Sequence, residues 1–173
     1  MILRIPNAKE SAREIGQLSI ELYTPSDSDD DPEKLSPAVY AGKTLVLFVL
    51  GTNCENCKQI MKSFSGLLDE YAASVVCAGV CVQPGCRYKL GDFAEQTGCR
   101  IPLGYCSTRS LCVAIGISVS TWLMYPTLIF IDQNRLMRGY VTAGDEFFEN
   151  TAANCRAVLD RISSESSVTA EAA

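Results

Sequence analysis

The most regular hydrophobic pattern in the chain lies between residues 44 and 98. Residues 44–50 are apolar on both alternating faces, which predicts a central strand covered by helices on both sides. Residues 55–72 repeat apolar side chains at three- and four-residue spacing, which is typical of an amphipathic helix. A second apolar run, 74–83, and a helix capped by glycine, 89–98, complete the pattern. This order predicts a βαβ unit with a doubly covered parallel sheet.

The C-terminal third is predicted to form a hairpin followed by a helix. Residues 125–132 and 136–141 flank the short turn Gln133-Asn134-Arg135, so they are expected to pair as antiparallel strands. Residues 146–162 carry one apolar stripe and predict a terminal helix. Residues 163–173 are expected to be a frayed tail.

The remaining segments give weaker signals. Residues 18–23 alternate between apolar and polar side chains and predict a strand, and residues 24–34 form an acidic loop. The loop begins like a calcium-binding EF-hand loop, but Pro32 and Ala38 stand where glycine and glutamate are needed, so we interpret it as solvated. Two short elements follow in the middle of the chain: a strand at 101–105 and a helix at 109–115.

The composition of the chain bounds its size and excludes several classes of function. The chain has 173 residues, 47% of them apolar, which predicts one domain over residues 1–173 with a core at about 15–162. It has 15 Lys and Arg against 20 Asp and Glu, and a net charge of −5 disfavours a nucleic-acid partner. It has no histidine, which excludes Ser-His-Asp and Cys-His catalysis and histidine-ligated metals.

Nine cysteines suggest a reducing environment. The count is odd and too low for a disulfide-stapled mini-protein, so most cysteines are expected to be reduced and buried. The N-terminus does not resemble an export signal, and the longest apolar run is too short to span a membrane. We therefore expect a cytoplasmic protein without a membrane segment, or a periplasmic or membrane-tethered one if a leader precedes this sequence.

The sequence Cys54-Glu55-Asn56-Cys57 stands where the buried strand gives way to the long helix. In that position a Cys-x-x-Cys pair indicates a redox dithiol. At the helix start, unpaired N–H groups and the helix dipole favour the thiolate of Cys54, which is the candidate nucleophile. Cys57 lies one turn further along and is the candidate resolving thiol.

Two charged residues modulate this dithiol. Glu55 opposes ionisation of the neighbouring thiol, and Lys58 partly offsets it. A less stabilised thiolate makes a dithiol more reducing, so a disulfide reductase is predicted rather than a strong oxidant.

A family resemblance supports this interpretation. The strand, Cys-x-x-Cys and helix, followed by Tyr125-Pro126 and a hairpin, resemble the thioredoxin fold, and the extra strand and helix before Pro126 resemble its TlpA/ResA-like branch. The resemblance extends over residues 15–162. Further matching segments are Ala41-Gly42-Lys43, Val76 to Val82, Phe93-Ala94-Glu95, Ala114 to Ile117, and Phe130-Ile131-Asp132.

The resemblance implies a fold and a reaction. The fold is α/β, a central mixed sheet flanked by helices with a strand–helix insertion. The reaction is thiol:disulfide exchange with a protein disulfide substrate and a thiol electron donor, which needs no metal or bound cofactor. Pro126 corresponds to the family's cis-proline, which faces the dithiol and helps to bind substrate. Its neighbour Tyr125, together with Thr52 and Asn53 before the first cysteine, are further candidate substrate-binding residues.

The chain also departs from the family pattern. Asn53 replaces the tryptophan that usually precedes the first cysteine, and Phe48 occupies the position of thioredoxin's buried acid. Ile60 and Lys62 stand where an acid and a proline are frequent in the branch. Proton transfer from Cys57 would therefore depend on water or on Glu55.

Other functions remain open for the dithiol. Cys54 and Cys57 could form half of a zinc site with Cys81 and Cys86. A thiol peroxidase of peroxiredoxin type is disfavoured, because Thr52 lies two residues upstream of Cys54 and Gly51 occupies the third position, where peroxiredoxins carry threonine. A redoxin-fold binding module with a vestigial dithiol is the non-enzymatic alternative.

The other cysteines are predicted to pack in the core. Cys77 and Cys81 lie ~13 Å apart along one strand at ~3.3 Å per residue, too far to bond to each other. Cys86, Cys99, Cys106 and Cys112 could include a second redox pair, but no spacing selects one, and packing is favoured for these and for Cys155. Trp122 and Tyr125 either line a substrate groove or cover the edge of the sheet.

Overall fold

A six-stranded mixed sheet with helices on both faces forms the centre of the protein. The computed structural model describes residues 14–23, 34–35, 37–117 and 125–171, so most of the predicted acidic loop and Trp122 lie outside the described residues. The strands are β1 (Glu21–Leu22), β2 (Thr44–Leu50), β3 (Val75–Cys81), β4 (Leu103–Tyr105), β5 (Thr127–Ile131) and β6 (Met137–Thr142). The helices are α1 (Pro37–Tyr40), α2 (Glu55–Tyr71), α3 (Leu90–Thr97), α4 (Thr108–Ile115) and α5 (Thr151–Glu171).

The strand order is β1-β4-β3-β2-β5-β6. β2, β3 and β4 run parallel, whereas β5, β6 and β1 are antiparallel to their neighbours. This arrangement confirms the predicted mixed α/β sheet flanked by helices. The predicted strand at 18–23 is reduced to the two residues of β1, which pair with β4 at the sheet edge.

Strand β2 divides the core into two layers. Val46, Phe48 and Leu50 face α2, α3 and α5, whereas the alternate residues Leu45, Leu47 and Val49 face α4 and the N-terminal segment. All seven residues of β2 are buried, as expected for a strand covered on both sides. Each fully buried Leu, Val or Phe side chain stabilises the fold by about 1.5–3 kcal/mol. This rigid centre holds the residues that follow β2.

The end of the last helix corrects one prediction. Residues 163–171 are helical and continue α5, so the expectation of a frayed tail from Ser163 was wrong. Charged contacts stabilise the first turn of this extension: Arg161 donates to the Glu165 carboxylate at 2.8 Å, and Arg138 of β6 also pairs with Glu165. The hydrophobic stripe ends at Ile162, and a pattern of apolar residues cannot reveal a helix end held by ion pairs.

Polar contacts also join α5 to α2. Arg156 donates two hydrogen bonds to the Glu70 carboxylate, both at 2.8 Å, and the hydroxyl of Tyr71 donates to Asp160 at 2.7 Å. Partial burial and this hydrogen bond raise the pKa of Tyr71 to about 12. The contacts fix the far end of α2, whose other end carries the dithiol. Within the described part of the chain, no helix is long and apolar enough to cross a membrane.

Candidate active site at the start of helix α2

The Cys-x-x-Cys pair lies at the junction of β2 and α2. After Leu50 the chain turns through Gly51, whose carbonyl accepts a hydrogen bond from the Cys54 N–H at 3.0 Å. Cys54 is the N-cap of α2: its backbone is extended, and its Sγ atom accepts a hydrogen bond from the backbone N–H of Cys57 at 3.2 Å. The first cysteine thus occupies a position where side chains satisfy the free N–H groups of a helix.

The two cysteines differ in exposure. Cys54 is partly exposed, whereas Cys57 is 0% exposed and packs in the layer between α2 and the sheet. Burial raises the pKa of the Cys57 thiol well above its ordinary value, and the adjacent Cys54 side chain raises it further. The site therefore combines an accessible sulfur with a buried thiol that holds its proton.

The residues around the dithiol are mostly polar and accessible. Asn53, Glu55 and Asn56 are exposed, and Thr52 is buried. The Lys58 ammonium lies 3.6 Å from the Glu55 carboxylate, so the two predicted modulating charges pair with each other. The surface beside Cys54 consequently carries little net charge from this turn of the helix.

An aromatic contact occupies the position of thioredoxin's buried acid. Phe48 is 0% exposed, and its ring centroid lies 6.4 Å from that of Phe64 on α2. A phenyl ring can neither accept nor release the proton of Cys57. Proton transfer must therefore use another group or solvent.

Pro126 and Tyr125 lie on the strand side of the site. The Tyr125–Pro126 peptide bond is cis, and Pro126 is buried immediately before β5. The ring of Tyr125 covers Gly51 so closely that a Cβ atom there would lie 2.5 Å from it. Glycine is therefore required for this contact, which pattern analysis of the sequence did not identify.

A groove of about 610 Å³ opens beside Pro126. It joins the exposed side of α2 to the segment between β6 and α5. The side of α2 supplies Asn56, Gln59 and Ile60, and the opposite side includes Phe148, Glu149 and Ala152. The sequence predicted Pro126 but not this opposite wall, because its residues come from a segment about 90 positions after the dithiol.

A second pair of cysteines corrects another prediction. Cys81 and Cys86 form a disulfide with their Cα atoms 6.4 Å apart, so their assignment as reduced core residues was wrong. Cys81 ends β3, and the Pro84-Gly85 turn, with Gly85 at φ 74°, brings the chain back. The turn between the two cysteines was the available sequence signal. Because disulfide sulfurs do not supply thiolates to a metal, this pairing also argues against the zinc alternative.

The other seven cysteines are free thiols: Cys54, Cys57, Cys77, Cys99, Cys106, Cys112 and Cys155. Burial raises the pKa of Cys106 and of Cys155 to about 12, and it also raises that of Cys77. These buried thiols behave as small apolar residues.

Solved structures share this architecture. A thiol:disulfide interchange protein of the thioredoxin family from Chlorobium tepidum aligns with a TM-score of 0.63 and 15% identity over 86% of this chain and 98% of that one. A DsbF homologue from Corynebacterium diphtheriae aligns with a TM-score of 0.65 and 18% identity over 90% of this chain and 91% of that one. Both likenesses concern the fold, and they define this chain as a thioredoxin-fold protein.

A comparison of the sequence with known protein families assigns the chain to one family. The AhpC/TSA family matches residues 15–139, which include β1 to β5 and the dithiol. The chain belongs to the AhpC/TSA family, which agrees with the resemblance to redoxins found in the sequence. No curated protein matches the chain in sequence.

Proposed function

We propose that the protein is a thiol:disulfide oxidoreductase that reduces protein disulfides through Cys54 and Cys57. The single observation that carries this proposal is the contrast between the two sulfurs at the start of α2. The sulfur of Cys54 is partly exposed and accepts a hydrogen bond from a backbone N–H, whereas that of Cys57 is buried and protonated. Attack on an external disulfide requires an accessible sulfur, and resolution within the protein requires a second sulfur close to the first, which must lose its proton as it attacks.

The reaction proceeds in two exchanges. The Cys54 thiolate attacks one sulfur of the substrate disulfide, forming a mixed disulfide and releasing the other substrate sulfur as a thiolate. Cys57 then attacks Cys54, which forms the Cys54–Cys57 disulfide and releases the second substrate sulfur. Two electrons pass to the substrate, and an external thiol donor restores the dithiol.

The proton of Cys57 needs an acceptor in the second exchange. Phe48 cannot serve, and the Glu55 carboxylate is exposed and close to Lys58. The substrate thiolate released in the first exchange can accept this proton as Cys57 attacks, because the proton leaves while the new sulfur–sulfur bond forms. We propose that it takes this proton directly or through water, so that no protein acid is required.

Substrate binding is assigned to the groove and to the backbone beside Pro126. Polar residues line both sides of the groove, including Gln59 of α2 and Glu149 opposite, and Ile60 and Phe148 add apolar surface. Such a mixed lining suits an extended polypeptide with mixed side chains. Pro126 lines the groove. The other candidates lie in the loops at the same end of the central strands: Thr52 and Asn53 follow β2, and Tyr125 precedes β5.

Seven free cysteines favour a reducing compartment, whereas the Cys81–Cys86 disulfide favours an oxidising one. The cytoplasm stays the predicted location, with a periplasmic or membrane-tethered protein as the alternative.

A redox titration tests the proposal. The purified protein is equilibrated with glutathione or dithiothreitol buffers, labelled at free thiols and analysed by mass spectrometry. Cys54 and Cys57 are expected to interconvert together at a potential near or below ~−270 mV, the value for thioredoxin. If they remain reduced in every buffer, the dithiol is vestigial and the binding-module alternative replaces the proposal. Rapid consumption of hydrogen peroxide without reduction of a model protein disulfide would favour the peroxidase alternative.

A further inference from the structure

The Cys81–Cys86 disulfide and the dithiol lie at the same end of the parallel strands β2 and β3. Strands β2 and β3 are parallel neighbours, and Leu50 at the end of β2 pairs in register with Cys81 at the end of β3. The chain leaves β2 towards Cys54 and leaves β3 towards Cys86. Both disulfide-bonded residues are buried, at 0% and 2% exposure, whereas Pro84 and Gly85 between them are exposed.

The loop closed by this disulfide contacts the substrate side of the site. Gln83 lies within the loop, and its side-chain amide donates a hydrogen bond to the hydroxyl of Tyr125. One edge of the Tyr125 ring packs on Gly51, just before the dithiol, and the next residue is the cis Pro126. One side chain therefore connects the disulfide loop, the approach to Cys54 and the residue that lines the groove.

We propose that Gln83 is a positioning residue for substrate binding and that the Cys81–Cys86 disulfide holds it in place. The inference rests on the proposed function and adds to it a role for a loop outside the Cys-x-x-Cys motif. Gln83 restrains Tyr125, and Tyr125 restrains the backbone at Pro126 to which the substrate strand binds.

The disulfide matters because the loop is short and exposed at its centre. Four residues separate the two cysteines, and the bond between them limits the conformations that the loop can reach. When the bond is absent, the loop gains conformational freedom, and the entropy cost of placing Gln83 against Tyr125 rises. Tyr125 then moves more freely over Gly51, and binding of the substrate strand has to restore its position.

The test measures steady-state reduction of a model protein disulfide by Gln83→Met, Tyr125→Phe and the double variant. Each single change removes the same hydrogen bond, so each is expected to raise KM about threefold to tenfold with little change in kcat. The double variant is expected to match the single ones, because the two side chains act as one unit. Gln83→Glu, whose carboxylate can accept a hydrogen bond from the Tyr125 hydroxyl, is expected to recover most of the loss.

A second set of variants tests the disulfide. Replacing both Cys81 and Cys86 by alanine is expected to raise KM to a similar extent, and adding Gln83→Met to that protein is expected to change it little further. Cys112→Ala is the matched control, because Cys112 is an equally buried thiol in the layer on the other side of the sheet. The Cys54–Cys57 potential in dithiothreitol buffers is expected to be the same in every variant.

The outcomes separate this inference from the proposed function. Unchanged KM in Gln83→Met and Tyr125→Phe, additive effects in the double variant, or a shifted Cys54–Cys57 potential would overturn the positioning role while leaving the reductase function intact. Normal KM in the protein lacking Cys81 and Cys86 would overturn the role of the disulfide, and thermal melts identify a variant that has lost its fold. A wild-type protein with no reductase activity would instead refute the proposed function itself.

Discussion

The backbone N–H of Cys57 donates a hydrogen bond to the Sγ atom of Cys54 at 3.2 Å, which makes the first cysteine the cap of its own helix. This position places the sulfur at the positive end of the helix dipole. The donor residue carries the second sulfur, so formation of the disulfide requires only local movement. The contact therefore links local helix structure to the proposed exchange reaction.

The contact between Gly51 and Tyr125 predicts the effect of one added methyl group. Gly51→Ala places a Cβ atom 2.5 Å from the Tyr125 ring, so the ring must move and the backbone at Pro126 with it. We expect kcat/KM for a protein disulfide to fall at least about tenfold, a change of about 1.4 kcal/mol. Steady-state reduction assays measure this.

Gly66→Ala is the matched control for that prediction. Gly66 lies within α2, and a Cβ atom there meets nothing within 4 Å. Alanine in an exposed helical position stabilises a helix by about 0.5–1 kcal/mol relative to glycine. The control is expected to raise the melting temperature and to leave kcat/KM unchanged. Equal activity in the two variants would show that the Tyr125 contact has no part in the reaction.

The charge pair at the start of α2 predicts opposite changes in thiol reactivity. Glu55→Gln removes a negative charge beside Cys54, and Lys58→Gln removes the positive charge that offsets it. Because the Glu55 carboxylate is exposed and Lys58 is partly exposed, we expect modest effects. Cys54 alkylation by iodoacetamide at pH 7 is expected to become about twofold to fivefold faster in the first variant and slower by a similar factor in the second. Changes in the same direction would refute the assignment of these residues as modulating charges.

Buried thiols predict a loss of stability at alkaline pH. Burial raises the pKa of Cys155 from 9.0 to about 12, so the folded protein holds this proton more tightly than the unfolded chain does. The stabilisation is therefore fully present below pH 9.0 and is lost as the pH rises towards 12. Each such thiol lowers the free energy of unfolding by up to about 1.4 kcal/mol per pH unit in this range.

Urea denaturation of the reduced protein between pH 7 and 11 measures this effect. Cys155→Ala is expected to show a shallower alkaline decline than the wild type, whereas Gly66→Ala is expected to shift stability equally at every pH. Tyr71, whose pKa is raised to about 12, contributes to the decline in all three proteins. Parallel curves for Cys155→Ala and the wild type would contradict the prediction.

The sequence predicted the layers of the fold because its strongest patterns are set by burial. Strand β2 is apolar at every position, and the stripe of α2 repeats at helical spacing, so both were located almost to their ends. The end of α5 was missed because the apolar stripe stops at Ile162, and the ion pairs of Glu165 beyond it leave no apolar pattern in the sequence. Edge strand β1 was overestimated, since its alternating residues pair with only two positions of β4.

Prediction of the site had a similar limit. The motif and its neighbours in sequence predicted Cys54, Cys57 and Pro126 as site residues. The structure places the cysteines at the start of α2 and Pro126 immediately before β5. The Cys81–Cys86 bond depends on the direction in which the turn between these residues brings the chain back. The Gln83–Tyr125 contact joins residues 42 positions apart. A local sequence pattern encodes neither feature. Family resemblance did not supply them either, because they lie outside its motif.

Trapping of the mixed disulfide tests the central claim most directly. Cys57→Ser and Cys54→Ser variants are incubated with a protein disulfide, and adducts are located by mass spectrometry under non-reducing conditions. The account predicts a stable adduct at Cys54 in Cys57→Ser, where the resolving thiol is absent, and none in Cys54→Ser, whose remaining thiol is buried and protonated. An adduct at Cys57 in Cys54→Ser, or no adduct in either variant of a correctly folded protein, would contradict it.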